Sequence, residues 1–112
     1  MQLLFIADPL DHFKTYKDTT FSMMREAAAR GHTLLACEPR HVMWARGGVV
    51  SARMQAFTLT GDAKDWYRTD GVAQQRPLKD VGAVLMRKDP PFDSEYFYAT
   101  HLLEQAEREG AR

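Results

Sequence analysis

The sequence is poor in several features that would define a function class at once. It has one cysteine, Cys37, and so can form neither an internal disulfide nor a thiolate metal cluster. Its 15 basic and 15 acidic side chains cancel, which argues against a strongly basic nucleic-acid binder. No apolar run approaches the roughly 20 residues of a membrane span, and Asp8 interrupts the only leader-like start. We therefore expect a cytoplasmic protein without membrane or nucleic-acid partners.

The common catalytic motifs are also missing. The chain contains no GxxxxGK[ST] phosphate loop, no GxGxxG after a predicted strand, no GxSxG and no HExxH. None of its four histidines has a histidine partner at i,i+4, and we expect none of them to be catalytic. We interpret Cys37 as a small apolar residue in a buried strand. The sequence thus predicts no catalytic residue, no cofactor site and no metal site within these residues.

What is present indicates one α/β domain. The length of 112 residues and the 45% hydrophobic fraction suit a single core. Three short apolar runs are bounded by Pro or Gly, and two amphipathic stretches end at a glycine. The pattern predicts a Rossmann-like, three-layer unit with a mainly parallel sheet. Its strands are expected near residues 2–7, 33–37 and 81–86, and its helices near 19–30 and 94–109.

The middle of the chain predicts an insertion. Residues 42–45 and 49–52 are typical of a β-hairpin around Gly47-Gly48. Residues 55–60 alternate weakly and predict a further strand, whereas the polar stretch 61–77 is interpreted as a loop that could hold one short strand. The middle of the chain also carries the aromatic residues Trp44, Trp66 and Tyr67. They could mark an interface, but packing against the sheet edge is favoured.

The last residues predict that the sheet continues. After Gly31, which ends the first helix, the next strand is expected within two residues, and Gly110 ends the second helix in the same way. By analogy, Ala111 and Arg112 should be entering a strand. We expect this chain to be a fragment of a longer protein.

Charged residues follow three of the predicted strands: Asp8, Glu38 and Arg87. Ligands of open α/β sheets bind outside the carboxyl ends of the strands. Arg87 stands out because Lys88-Asp89-Pro90-Pro91 follows it, and two prolines would stiffen such a loop. Its planar guanidinium suits a carboxylate or phosphate. The alternative, that Arg87 and Asp89 merely fix the turn, stays open at this point.

The amino end of the first helix offers a second candidate anion site. Backbone N–H groups near Thr19 and Thr20 are free at a helix start, and Lys17 lies just before them. The alternative is that Asp18 or Thr19 simply caps the helix.

Several segments together resemble the amino-terminal domain of prokaryotic glutathione synthetase. They are FIADP at 5–9, YKDTTFSMMREA at 16–27 and VLMRKDPPFD at 84–93, extended by YFYAT at 96–100 and LLEQAE at 102–107. The resemblance runs over essentially all 112 residues. It implies a pre-ATP-grasp domain, residues 1–112, that precedes the ATP-grasp domains of the longer enzyme.

The resemblance also implies an activity. Members of this family join γ-glutamylcysteine to glycine with ATP and Mg²⁺ through an acyl phosphate, and the nucleotide and metal ligands lie in later domains. The amino-terminal domain forms one wall of the peptide site and contributes subunit contacts in a homo-oligomer. Carried onto this sequence, Arg87 would face γ-glutamylcysteine, with Asp18, Thr19 and Ser22 near the same cleft. The 112 residues alone are expected to be inactive and to bind no cofactor.

Two other classes remain open from the sequence. One is a stand-alone doubly wound binding or regulatory module, such as a receiver domain with Asp8 as phosphoacceptor. Receivers gather several acids and a lysine, however, and here Pro9 follows Asp8 directly. The other is a structural subunit whose hairpin and aromatic residues serve assembly.

Overall fold

A computed structural model describes residues 1–13, 19–44, 47–62, 64–87 and 94–112. This part of the chain forms one six-stranded sheet and two helices. The strands are β1 Gln2–Ile6, β2 Thr33–Cys37, β3 Val42–Trp44, β4 Val50–Leu59, β5 Tyr67–Pro77 and β6 Ala83–Met86. The helices are α1 Thr19–Ala29 and α2 Ser94–Arg108. Short 3₁₀ turns occupy Leu10–His12, Pro39–His41 and Leu78–Asp80.

The three predicted apolar strands form the centre of the sheet. β1 lies between β2 and β6 and is parallel to both, with Leu4 opposite Leu35 on one side and Val84 on the other. β1 and β2 are buried over most of their length on both faces, as their continuous apolar runs predicted, whereas β6 is half-buried. The prediction of three parallel strands in one sheet, flanked by two helices, is confirmed.

The two helices cover opposite faces of this sheet. Side chains alternate along β1, so that Leu4 and Ile6 pack with Leu102 of α2, whereas Phe5 packs with Met24 of α1. We call the first set the α2 cluster: Leu4, Ile6, Leu35, Cys37, Val42, Val50, Ala52, Met54, Leu78, Val81, Leu102 and Ala106. The second set is the α1 cluster: Phe5, Met24, Ala27, Leu34, Ala36, Phe57 and Trp66. The three-layer arrangement follows from these two clusters.

The sheet is mixed, which corrects the prediction of a mainly parallel sheet. β4 is antiparallel to β2, to β3 and to β5. Alternate residues of the first half of β4, Val50, Ala52 and Met54, join the α2 cluster. The sheet therefore curls over this core as a half-barrel, and a purely parallel doubly wound sheet is not what the chain forms.

The predicted hairpin is present, and its second strand is longer than predicted. Val42 pairs with Ala52 and Trp44 with Val50. The strand that begins at Val50 runs on to Leu59, so that the predicted strands 49–52 and 55–60 are one strand, β4.

The prediction of a loop over 61–77 was wrong for most of its length. Residues Tyr67–Pro77 form β5, an 11-residue strand whose side chains are mostly exposed. Its pairing with β4 shifts register between Met54 and Ala56, and there the Gln55 side-chain amide donates to the carbonyl oxygens of Asp70 and Gly71 at 3.1 Å. Because neither face of β5 contributes much to the core, the strand carries no alternating apolar pattern for sequence analysis to detect.

The carboxyl end of the chain returns to the sheet. The backbone N–H of Val84 in β6 donates to the carbonyl oxygen of Arg112 at 2.8 Å.

Among the described residues, no helix combines the length and the apolar character that a membrane-spanning helix needs.

Candidate functional site

The candidate site lies where the carboxyl ends of β1 and β6 meet the amino end of α1. Arg87 directly follows β6, and its backbone N–H donates to the carbonyl oxygen of Ile6, the last residue of β1, at 2.7 Å. This hydrogen bond fixes the backbone of Arg87 at the sheet edge. The edge is the one at which ligands of open α/β sheets bind.

The side chain of Arg87 reaches from this edge to the first turn of α1. Its Nε donates to Oγ1 of Thr20 at 3.3 Å. Thr20 is only 3% exposed, although its neighbours Thr19 and Ser22 are exposed. Within the part of the chain that the structure describes, no carboxylate forms an ion pair with Arg87.

Two positive features converge at this point. The guanidinium of Arg87 is positively charged. The amino end of a helix carries a partial positive charge from its aligned peptide dipoles and presents free N–H donors. Their convergence beside Thr20 favours a negatively charged ligand over a neutral one.

The four residues predicted for the substrate site divide in space. Arg87 contacts α1 through the side chain of Thr20, which the sequence analysis named for its backbone N–H at the helix start but not among the substrate-site residues. Thr19 and Ser22 instead line an open groove of about 460 Å³ between α1 and the β1–β6 part of the sheet, together with Leu3 and Leu85. Asp18 lies outside the described residues, as do Lys17 and the segment 88–93.

A sequence signal for Thr20 did exist. Thr20, Met24 and Ala27 are the buried residues of α1, and they are spaced by four and three positions. A polar residue on the apolar stripe of a helix needs a hydrogen-bond partner inside the protein. Arg87 supplies one such partner for Thr20.

The other two charged residues that follow strands are Glu38, after β2, and Asp8, after β1. The Glu38 carboxylate accepts from the backbone N–H of His41, while the Glu38 backbone N–H donates to Nδ1 of His41 at 3.0 Å. Arg40 also donates from Nε to the Glu38 carboxylate at 3.4 Å. Glu38 therefore stabilises the turn that leaves β2. Asp8 is half-buried at the end of β1.

Cys37 has the properties of a packing residue. It is buried in the α2 cluster. Burial, with a smaller contribution from the negative charge of Glu38, raises the pKa of its thiol from 9.0 to about 12. The thiol therefore stays protonated near neutral pH and is a poor nucleophile.

The aromatic residues of the middle segment have two different environments. Trp66 is buried at 4% exposure and packs in the α1 cluster, as predicted for packing against the sheet. Trp44 is 49% exposed, and its Nε1 donates to the carbonyl oxygen of Gly48 at 3.0 Å. The prediction of packing against the sheet is thus confirmed for Trp66, whereas it is wrong for Trp44, about half of which is exposed.

Comparison with known proteins gives one consistent result. Residues 1–112 match the family described as "Prokaryotic glutathione synthetase, N-terminal domain". The chain is 54% identical over 112 residues to the glutathione synthetase of Ralstonia nicotianae, covering 100% of this chain and 34% of that protein. It is 46% identical over 116 residues to that of Bordetella pertussis, covering 100% and 36%. It is 39% identical over 111 residues to that of Pseudomonas aeruginosa, covering 99% and 34%. The chain spans about a third of the length of these relatives.

Proposed function

This chain belongs to the family of prokaryotic glutathione synthetase N-terminal domains, and from that premise we propose that it forms one wall of the γ-glutamylcysteine site in a longer ATP-dependent ligase. The resemblance drawn from the sequence motifs is thereby confirmed. Family membership also disfavours a stand-alone regulatory module. The ligase reaction, its ATP-grasp class and its substrates γ-glutamylcysteine and glycine are part of the proposal.

The role proposed for Arg87 is to anchor the substrate at an end remote from the reacting bond. Joining γ-glutamylcysteine to glycine requires the cysteinyl carboxylate to be activated and attacked, so the glutamyl end must be held still. That end carries a carboxylate, which the Arg87 guanidinium can bind through two parallel N–H donors. The observation that carries the proposal is the convergence of Arg87 with the amino end of α1 at the Thr20 contact.

The proposal places nucleotide and metal binding outside this chain. Among the described residues, no group of three His, Cys, Asp or Glu side chains is placed to hold a metal ion. ATP with Mg²⁺, held by other parts of the longer protein, would supply the phosphoryl group that activates the substrate carboxylate. We assign this chain the binding and orientation of the peptide substrate and no step of the phosphoryl chemistry.

The proposal extends to assembly and location. The longer protein would be a cytoplasmic homo-oligomer in which this domain contributes subunit contacts, without nucleic-acid or membrane partners. The family resemblance supports the oligomer, and the balanced charge of the chain supports the absence of nucleic acid as a partner. Light scattering on the purified longer protein tests the oligomeric state.

The anchoring role is tested by steady-state kinetics of the longer protein with Arg87→Ala and Arg87→Lys. A hydrogen bond to a charged group contributes about 1.5–3 kcal/mol, so Arg87→Ala should raise the KM for γ-glutamylcysteine about 10- to 150-fold. Arg87→Lys keeps the charge but loses the paired donors, so its KM for γ-glutamylcysteine should lie between that of the parent and that of Arg87→Ala. The KM for ATP should change little.

A matched control comes from the neighbouring strand end. Arg40 is exposed and pairs with Glu38, so Arg40→Ala removes a guanidinium of the same kind that does not reach α1 in the structure. It should leave both KM values near those of the parent. If Arg87→Ala lowers the melting temperature but leaves the KM for γ-glutamylcysteine unchanged, then Arg87 is structural and the proposal fails.

A second test concerns the domain assignment. The purified 112-residue chain, free of the rest of the protein, should form no glutathione from γ-glutamylcysteine, glycine and ATP. ATP-dependent glutathione formation by this chain alone would contradict the division of labour proposed above.

A further inference from the structure

An aromatic cluster lies beside the amino end of α1, and Trp66 is at its centre. The Trp66 indole stacks on the Phe13 ring at a centroid distance of 5.4 Å and meets the Phe21 ring edge-on at 5.2 Å. It also meets Phe57 of β4 edge-on at 6.2 Å and the adjacent Tyr67 at 4.9 Å. Such offset and edge-on pairs stabilise a particular geometry beyond the burial of apolar area.

Trp66 links parts of the chain that also meet at the candidate site. Phe13 follows the 3₁₀ turn after β1, and Phe21 lies in the first turn of α1. Phe21 is bonded directly to Thr20, the residue that accepts from Arg87. One indole therefore contacts both the segment that leaves β1 and the helical turn that carries Thr20.

Trp66 is itself held by the hairpin between β4 and β5. Its carbonyl oxygen accepts from the backbone N–H of Thr60 at 2.9 Å, and Oγ1 of Thr60 donates to the carbonyl oxygen of Asp65 at 2.6 Å. On the other side, Oη of Tyr67 donates to the carboxylate of Asp11. Trp66 is thus fixed to the sheet through its backbone, and the adjacent Tyr67 is fixed to the turn after β1 through its hydroxyl.

The contact between Arg87 and Thr20 leaves little tolerance for movement. At 3.3 Å from nitrogen to oxygen it is slightly longer than the usual N–H···O hydrogen bond of about 2.7–3.2 Å, and a separation of about 3.6 Å would no longer count as one. A displacement of a few tenths of an ångström in the first turn of α1 is enough to break it. The ring contacts of Phe21 oppose such a displacement.

We propose that Trp66 is a positioning residue for the peptide-substrate site. By holding Phe21 it keeps Thr20 within hydrogen-bonding distance of Arg87 and so fixes the guanidinium toward its ligand. The inference rests on the proposed function, because it assigns to Trp66 the orientation of the side chain that is proposed to bind γ-glutamylcysteine. Trp66 contacts no substrate in this scheme.

The test is a double-mutant cycle in the longer protein, read in the KM for γ-glutamylcysteine. Trp66→Leu should raise this KM by at least about 5-fold and by less than the roughly 100-fold that a 1 Å misplacement can cost. Trp66→Phe keeps an aromatic ring and should restore part of the loss. The KM for ATP should stay near the parent value in both variants.

The second arm of the cycle removes the acceptor. Thr20→Val keeps the shape of the side chain but loses the hydroxyl, so it should raise the KM by itself. If Trp66 acts through Thr20, adding Trp66→Leu to Thr20→Val should raise the KM little further. Independent, multiplicative effects of the two substitutions would overturn the positioning role.

A matched control separates positioning from loss of stability. Leu78 is fully buried in the α2 cluster, on the opposite side of the sheet, and Leu78→Ala should lower the melting temperature while leaving the KM for γ-glutamylcysteine unchanged. An equal rise in KM for Leu78→Ala would overturn the inference, since any destabilisation would then suffice. If Trp66→Leu does not fold, Trp66→Phe takes its place in the cycle: it should raise the KM by a smaller factor in the parent and not raise it further beside Thr20→Val, and independent effects would again overturn the positioning role.

The two levels of the proposal fail differently. If Arg87→Ala raises the KM for γ-glutamylcysteine but Trp66→Leu changes it less than about 5-fold, only the positioning role of Trp66 is refuted. If Arg87→Ala itself leaves that KM unchanged, the proposed function fails, and the inference fails with it.

Discussion

Gly82 makes a sharp test of how closely β6 approaches β1. A Cβ built at Gly82 would lie 2.8 Å from the carbonyl oxygen of Gln2 and 2.8 Å from the side chain of Met1, whereas ordinary Cβ contacts begin at 3.4 Å. The same Gln2 oxygen accepts from the backbone N–H of Gly82 at 2.8 Å. An added methyl group therefore cannot be accommodated by turning a flexible side chain alone, because the Gln2 carbonyl oxygen belongs to the backbone and must itself shift.

Gly82→Ala should destabilise the fold by about 1–2 kcal/mol. Overpacking of this kind costs about 1–3 kcal/mol, and the loss of conformational freedom in the unfolded chain returns about 0.4–1 kcal/mol of it. Urea unfolding followed by circular dichroism measures the difference, and an unchanged m-value would show that the unfolded state is comparable. Gly82→Ser should be at least as destabilising.

Gly31 is the matched comparison, because its φ of +83° is in the left-handed region and a Cβ there would meet nothing within 4 Å. The free-energy cost of replacing Gly31 comes from backbone conformation alone, so Gly31→Asn should be better tolerated than Gly31→Ala. At Gly82 the order should reverse, with the smaller Ala tolerated better than Asn. A Gly82→Ala variant as stable as the parent would refute the close approach of β6 to β1.

Four further predictions concern thiol reactivity, titration and packing. Cys37 should not react with Ellman's reagent in the folded chain at pH 8 but should react fully in urea; fast reaction of the native protein would contradict its burial. Because burial raises the pKa of the Cys37 thiol from 9.0 to about 12, its contribution to stability is present below pH 9 and is lost as pH rises toward 12, so Cys37→Ala should flatten this alkaline loss in urea unfolding. The hydrogen bond from Tyr67 to Asp11 raises the pKa of the Tyr67 phenol to about 12, and Asp11→Asn should lower that pKa in an ultraviolet titration, with Tyr67→Phe identifying the signal. Leu78→Ala should cost about 2–5 kcal/mol in urea unfolding, and a loss below 1 kcal/mol would contradict its full burial.

The sequence could predict the central part of the fold because burial there leaves a pattern in the residues. The runs that became β1, β2 and β6 are apolar on both faces, and only a strand inside a covered sheet requires that. The two helices carry an apolar stripe and end at Gly31 and Gly110, both of which have positive φ. These elements were found within a few residues of their true bounds.

The edge of the sheet could not be predicted in the same way. β5 is held by its backbone pairing with β4 and by side-chain contacts such as that of Gln75 Nε2 with Ser51 Oγ at 2.7 Å. Polar side chains on both faces of a strand resemble a loop in sequence. The direction of β4 and the curl of the sheet depend on which edges pair, and the residue pattern of one strand does not contain that information.

Of the two side chains that meet at the candidate site, the sequence allowed one to be predicted. Arg87 could be selected because it follows a buried strand at the edge where ligands bind. Its partner Thr20 was named for the helix start but left out of the substrate-site residues, where Thr19 and Ser22 were chosen, since adjacent threonines at a helix start differ only in the face they occupy. The rotation of α1 against the sheet decides which one is buried, and that depends on tertiary packing.

The most direct test of the anchoring role is a crystal structure of the longer protein with γ-glutamylcysteine bound. We expect the glutamyl carboxylate beside the amino end of α1, with its oxygens about 2.7–2.9 Å from the guanidinium nitrogens of Arg87, and Trp66 packed on Phe21 as it is here. A complex in which the peptide is held elsewhere, while Arg87 contacts only residues of its own chain, would contradict the central claim.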